Sequence, residues 1–164
     1  MLELRPVTQK YAYCGPACLQ MTLEYHGVRA TQKKIAEIAG TTLESGTSHK
    51  GMIKTLRSFG FRPVATHTTS TFDMLRDYVV KQKLPVIVNW YSPFRPPANG
   101  HYSVVTHIDR SRITLMDPEI AKSRTIPLDE FNQLWFDFDF DLAFAKPPLR
   151  TVFRWMLVAI PSKK

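Results

Sequence analysis

The sequence predicts an α+β fold, with an N-terminal helical half packed on a C-terminal antiparallel β-sheet. Three observations carry this. Apolar side chains recur at helical spacing through the first half of the chain. From residue 86 onward the period falls towards 2, with β-branched residues in the runs. Gly27, Gly40 and Gly60 close successive segments of the first half.

The first helix covers residues 15–25, where Ala17, Cys18, Met21 and Tyr25 follow i, i+3, i+4 spacing with Leu19 and Leu23 beside them. Pro16 fits its first turn, where a missing N–H costs nothing. Thr31 caps a second helix, Gln32 to Ala39, ended by Gly40. A third helix runs from about Ser48 to Phe59. Phe61 to His67 reads as a short strand, and Thr71 to Lys81 as a fourth helix with Phe72, Leu75 and Val79 on its inner face.

The run Val86-Ile87-Val88-Asn89-Trp90-Tyr91 marks a central strand. Pro93, Pro96 and Pro97 then exclude a sheet, so 92–100 is a loop. His101 to Ile108 and Arg112 to Asp117 form a hairpin across Asp109-Arg110-Ser111. A short strand over Ser123 to Ile126, a short helix over Leu128 to Trp135 and a final strand over Val152 to Ile160 complete the series. Neither an internal repeat nor a linker divides the 164 residues, so one domain over 1–164 is expected.

A chain of this length hides about 70% of its extended surface on folding, enough for a core without disulfide or metal support. An apolar share of 44% and a charged share of 22% exclude disorder, collagen-like repeats and coiled coil as readings. No apolar run approaches the ~20 residues of a membrane span, and Met1 to Pro6 lack the order of a signal peptide. A cytoplasmic protein is expected. The net charge of +8 favours anionic partners in general. Its basic residues are dispersed, however, and no basic-aromatic module is present, so nucleic acid is not expected as the main partner.

Two cysteines, Cys14 and Cys18, are too few for a disulfide framework. Five histidines scattered singly do not complete a zinc site, and no cofactor is expected. Cys18 lies inside the apolar stripe and reads as core. Cys14 differs, because it stands at the mouth of the first helix. Unpaired N–H groups and the positive end of the helix dipole favour a thiolate there, and Gly15 would let a substrate backbone approach the sulfur.

A nucleophilic cysteine needs a base, and the base needs an orienting group. His26 and His49 fall at helix ends and read as solvent-facing or capping; His67 has no acidic neighbour; His107 lies inside a strand. His101 follows Gly100 at the start of a strand, where a side chain can face a cleft. With three loop residues in the hairpin, Ile108 pairs with Arg112 and Ser103 with Asp117, which sets Asp117 on the His101 face, diagonal to it. A two-residue register would put Asp117 on the opposite face. Asp109 competes, but from the turn at the far end. Gln9 and the backbone N–H of Cys14 are candidate donors to a developing oxyanion.

These residues resemble a known family. The run Gln9 to Gly27, with Cys14-Gly15-Pro16-Ala17-Cys18-Leu19, is similar to the catalytic segment of the bacteriocin-processing cysteine peptidases. Those papain-like enzymes cut after double-glycine leaders and are often fused to an export transporter. Gly100-His101-Tyr102-Ser103-Val104-Val105 and Met116-Asp117-Pro118 resemble that family's histidine strand and Asp-Pro ending, and Ile35-Ala36, Gly46-Thr47-Ser48 and Pro85-Val86-Ile87-Val88 fall in the family's order. The resemblance covers about residues 5–120. It implies a papain-like cysteine peptidase fold with the nucleophile at a helix N-terminus, Cys14 as nucleophile, His101 as base, Asp117 as orienter and Gln9 as oxyanion donor.

Two departures are visible. Gln9 is one residue closer to the cysteine than in the family pattern. No transporter sequence follows, so a stand-alone peptidase is expected, with a peptide or protein as substrate and its class not tied to double-glycine leaders. Acyl or amide transfer by the same residues, and peptide binding without cleavage, are the alternatives that the fold also allows.

Two further segments stand outside the match. Phe94 to Asn99 is either a rim shaping substrate access or a plain connector. Phe136-Asp137-Phe138-Asp139-Phe140-Asp141 alternates as a strand with phenylalanines on one face and aspartates on the other, read as a half-buried edge strand rather than a calcium site.

Overall fold

The computed structural model describes residues 1–94, 99–138 and 151–162. Helix α1 spans Cys14–Tyr25, α2 Gln32–Ala39 and α3 His49–Ser58. Thr31 and Gly40 act as the sequence announces: the Thr31 hydroxyl accepts from the Lys34 N–H, and Gly40 closes α2 in the left-handed conformation. Ser48, expected as the first residue of α3, is instead its cap, its hydroxyl accepting from the Gly51 N–H. Strand β1 is Phe61–Thr66.

The expected fourth helix is split. An α-helical part, α4, runs over Phe72–Arg76 and passes into a π-helical turn at Asp77–Lys81. There the Gln82 N–H donates to the Asp77 carbonyl, and Lys83 follows with φ 58°. The wider turn still buries Leu75 and Val79, the inner-face positions.

Strands β2 (Val86–Ser92), β3 (Asn99–Ile108), β4 (Arg112–Asp117) and β5 (Lys122–Pro127) follow, then α5 (Leu128–Leu134). The final strand of the sequence reading is two strands, β7 (Thr151–Phe153) and β8 (Met156–Pro161), in different sheets. The break lies at Arg154, with φ 53°, whose N–H donates to the Trp135 carbonyl instead of a ladder. The short β6, Phe136–Phe138, pairs with β7 in a second sheet.

The main sheet is antiparallel in the order β1-β8-β2-β3-β4-β5. It is buried on both faces, which explains why β2 reads as continuously apolar. On one face Ile87, Val104 and Leu157 pack with Leu19 of α1, Ile35 of α2 and Leu56 of α3. On the other, Val86, Val88, Val105 and Leu115 pack with Leu75 of α4 and Phe131 of α5. Each fully buried Leu or Ile contributes about 1.5–3 kcal/mol, so the two layers hold α1 firmly against β3.

The β3–β4 hairpin departs from the expected register. Its turn is of the two-residue kind: Ile108 pairs with Ile113, and the Asp109 N–H donates to the Arg112 carbonyl. Between Val105 and His107 the register shifts, leaving Thr106 as an unpaired bulge residue, and beyond it Val105 pairs with Leu115 and Val104 with Met116. The bulge restores the register that a three-residue loop would have set, so Ser103 comes opposite Asp117 after all. The Leu2 N–H donates to the bulged Thr106 carbonyl.

Candidate active site

Cys14 is the first residue of α1, and Tyr13 at the cap position supplies no side-chain hydrogen bond. The first N–H groups of a helix have no acceptor within it, so the thiol sits among unpaired donors at the positive end of the dipole. What seats α1 here is Gly15. A Cβ on it would lie 2.8 Å from Thr47 Oγ1 and 3.0 Å from Met52 Sδ. This corrects the sequence reading: the space freed by Gly15 is filled by the 47–52 segment and is not open to substrate. Thr47 also accepts, through its carbonyl, a 3.0 Å hydrogen bond from the Tyr102 hydroxyl. The helix mouth and β3 are therefore fixed on the same residue.

His101 is the third residue of β3, opposite Trp90 of β2, and 6% exposed. Its Nε2 lies 2.7 Å from Asp117 Oδ1, and its ring is also within hydrogen-bonding reach of the Cys14 thiol. With Nε2 engaged by the carboxylate, Nδ1 is the nitrogen left for the sulfur. The Trp90 ring meets the imidazole edge-on at 6.0 Å and donates its own N–H to Ser103 Oγ, which shields the pair from water.

Burial opposes charge on the imidazole, but the hydrogen bonds and charges of Asp117 and Cys14 outweigh it and raise the His101 pKa to about 10. Asp117 is fully buried. Burial pushes its pKa up, yet His101, Arg124 and the Glu119 N–H together hold it below the ordinary carboxylate value. Arg124 Nε of β5 donates to Asp117 Oδ2, and Arg124 also pairs with Glu119 at 3.3 Å. Its guanidinium lies 4.5 Å from the centre of the Phe94 ring. Arg124 was missed by the sequence reading. Its signal is non-local, since β5 comes beside β4 only through the sheet, where Asp117 pairs with Lys122.

Gln9 joins the site through its main chain, whose N–H donates to the Pro118 carbonyl at 2.8 Å, one residue past Asp117. Its side-chain carbonyl oxygen is buried and without a hydrogen-bond partner among the described residues. Cys18 is fully buried, and burial together with the nearby Cys14 and Asp117 charges raises its pKa. Asp109 serves the turn: its carboxylate accepts from the Ser111 and Arg112 N–H groups.

His49 corrects its reading as a solvent-facing or capping residue. It stacks on Trp155, ring centres 4.3 Å apart, and its Nε2 lies 2.7 Å from Asn89 Oδ1. The strand of alternating Phe and Asp is present over its described part, β6, and the structure shows which face is buried. Phe136 and Phe138 are half-buried and contact Tyr91, whereas Asp137 is the buried member; residues 139–141 lie outside the described residues. The 95–98 part of the proposed rim lies outside them too.

Among the described residues, His101, Asp117 and Glu119 form the one group whose donor atoms are close enough for a metal ion, within 4.8 Å of one another. Arg124 already neutralises both carboxylates and His101 fills the remaining place, so the arrangement fits proton handling and not metal binding. No helix among the described residues is long and apolar enough to cross a membrane.

Comparison with known proteins identifies the fold and the family. A protein of Methanothermobacter thermautotrophicus, itself uncharacterized, is 31% identical over 130 residues, covering 79% of this chain and 81% of its own. Among solved structures, the peptidase domain of Streptococcus ComA, a bifunctional ABC transporter of a quorum-sensing pathway, matches with a TM-score of 0.72 at 20% identity, covering 98% of this chain and all of that domain. A double-glycine-motif protease from an AMS/PCAT transporter, solved in complex with a leader peptide, matches with a TM-score of 0.67 at 17% identity, covering 98% of this chain and 93% of that one. The fold is thus the papain-like one, with mixed helices and an antiparallel sheet. The model of the peptidase C39 family matches residues 7–139, and the chain belongs to that family.

Proposed function

We propose that this protein is a cysteine peptidase acting on peptide or protein substrates through a Cys14–His101–Asp117 triad. The observation that carries this reading is the His101 imidazole held between the Asp117 carboxylate, 2.7 Å away at Oδ1, and the Cys14 thiol at the N-terminus of α1. In the proposed reaction the Cys14 thiolate attacks the scissile carbonyl carbon. The tetrahedral oxyanion is met by the Cys14 N–H and the Gln9 side-chain amide. As the C–N bond breaks, the His101 imidazolium gives its proton to the leaving amine, and a thioester remains on Cys14. Water, deprotonated by His101, then attacks the thioester and releases the acid and the thiolate. Asp117 holds the ring orientation throughout and is itself held by Arg124.

Family membership and the leader-peptide complex of a solved relative favour leader peptides of the double-glycine type as the substrate class. Unpaired thiols suit a reducing compartment, and a cytoplasmic site of action is part of the proposal. The test is incubation of the purified chain with a double-glycine leader peptide and with a scrambled control, followed by mass spectrometry. Cleavage after the glycine pair, lost in Cys14→Ala with folding intact, is the expected result. Product carrying an added amine or thiol acceptor would turn the reading to acyl transfer. Leader binding without cleavage would overturn it in favour of a binding module.

A further inference from the structure

Behind His101 lies a polar cluster that the triad does not use. Asn89 of β2 donates from Nδ2 both to the His101 carbonyl, at 3.2 Å, and to Asp137 Oδ2, at 2.8 Å. Its Oδ1 accepts from His49 Nε2. The second Asp137 oxygen accepts from the Phe138 N–H at 2.7 Å. Asp137 is 6% exposed, and no Lys or Arg among the described residues pairs with it. Its carboxylate occupies the space where a side chain at residue 100 would stand, since a Cβ built on Gly100 runs into Oδ1, Oδ2 and Cγ of Asp137. Gly100 is therefore required for this carboxylate to lie against the main chain next to His101.

We propose that Asp137, brought by β6, is a positioning residue for His101: through Asn89 and Gly100 it clamps the main chain that carries the imidazole, and its charge biases the protonation of that ring. The proposal rests on the reading of His101 as the catalytic base. It concerns a different element from Asp117, which meets the ring directly. Among the described residues, the groups around Asp137 are few. His101 on β3 is the ionisable group whose charge it feels. His49 on α3 reaches it through Asn89, and Phe136, Phe138 and the β7 partner Val152 are apolar.

The two carboxylates titrate in different pH ranges. Asp117 is held below the ordinary carboxylate value and stays ionised. Burial pushes Asp137 up to about 6, against the pull of Asn89, the Phe138 N–H and the His101 charge. Asp137 thus changes charge where Asp117 does not, and coupled groups must show each other's titration.

The experiment follows the His101 Cε1 resonance by NMR against pH in the full chain, with histidine ring labelling, in wild type, Asp137→Asn and Gly100→Ala. Wild type is expected to show a minor inflection near pH 6 besides the main step of the ring. In Asp137→Asn the minor inflection disappears and the main midpoint falls by about half a pH unit or more, as expected for loss of a nearby opposite charge. Gly100→Ala, which displaces the carboxylate without removing it, should give the same loss. A merely structural role would leave the midpoint in place, so superimposable titrations in folded Asp137→Asn overturn the proposal. Should that variant fail to fold, an unchanged titration in Gly100→Ala does so. The readout needs no substrate, so a chain inert towards peptides would sink the peptidase reading while this proposal is still decided by the titration.

Discussion

His101 and Asp117 meet at 2.7 Å because β3 carries one residue more than β4 between the turn and Ser103, the residue that stands opposite Asp117 on the His101 face. The turn alone, with Ile108 opposite Ile113, would send the two side chains to opposite faces of the sheet. Thr106 absorbs the odd residue just beyond the end of the β2 pairing, which closes at Val86↔Val105. One-residue deletions test this. Deleting Thr106 removes the bulge and keeps Val105 opposite Leu115, so the His101–Asp117 hydrogen bond and activity are expected to survive with a modest loss of stability. Deleting Ser103 turns His101 to the wrong face, and both should be lost. The downfield ring-proton resonance of His101 is the readout. Survival of that resonance in the Ser103 deletion would refute the register argument.

Asp117 connects His101 to Arg124, so its two neighbours separate chemistry from stability. Asp117→Asn keeps the shape but removes the charge behind the imidazolium, and kcat is expected to fall about 100-fold or more. Arg124→Gln leaves a buried carboxylate short of its cation. A loss of about 3 kcal/mol in urea unfolding is expected, with a smaller effect on kcat in the protein that remains folded. A thermally neutral Arg124→Gln would contradict the pairing.

Gly15 seats the helix that bears Cys14. Gly15→Ala drives a methyl into Thr47 and Met52 and is expected to cost about 1–3 kcal/mol. In the double variant with Thr47→Gly the two losses should be less than additive, by about 0.5 kcal/mol or more, because the second change removes the atoms that clash. Strict additivity in a double-mutant cycle would show that Gly15 matters for another reason.

The pH dependence of stability follows from three shifts. The His101 pKa is raised from 6.5 to about 10, so its contribution is full below pH 6.5 and is lost as pH rises through 10. Asp117 is lowered from 3.8, so its contribution is present above that value and lost as pH falls through the folded one. Asp137 runs the other way. Raised from 3.8 to about 6, it favours the folded state at low pH and withdraws that support as pH climbs through this window. Urea unfolding of wild type and His101→Gln should therefore converge between pH 6.5 and 10. Asp137→Asn should flatten the stretch between pH 4 and 6. A constant gap between wild type and His101→Gln across the alkaline window would contradict the ion-pair account.

Reactivity separates the two cysteines. Iodoacetamide is expected to label Cys14 near pH 7, more slowly in His101→Ala, while Cys18, buried with a raised pKa, stays unlabelled in folded protein. Mass spectrometry of the labelled peptides checks this. Equal labelling of both cysteines would remove the argument for a poised thiolate.

The sequence by itself determined the helices and strands that bring Cys14, His101 and Asp117 together, because each rests on a local signal. Pro16 and the i, i+4 stripe start α1, Thr31 caps α2, and two alternating runs flanking a turn make the hairpin. Only the tertiary structure decided how the register reaches its value, since a bulge is chosen where the face of Ile108 and Ile113 and the face of Val105 and Leu115 must both join one core. It also decided that Gly15 makes room for Thr47, that Arg124 stands behind Asp117, and that Asp137 fills the place of a side chain at Gly100. The physical reason is common to all of these. A hydrogen bond or a close packing between residues tens of positions apart leaves no periodicity in either segment, and it acquires its energy only when the sheet order has already removed both groups from water.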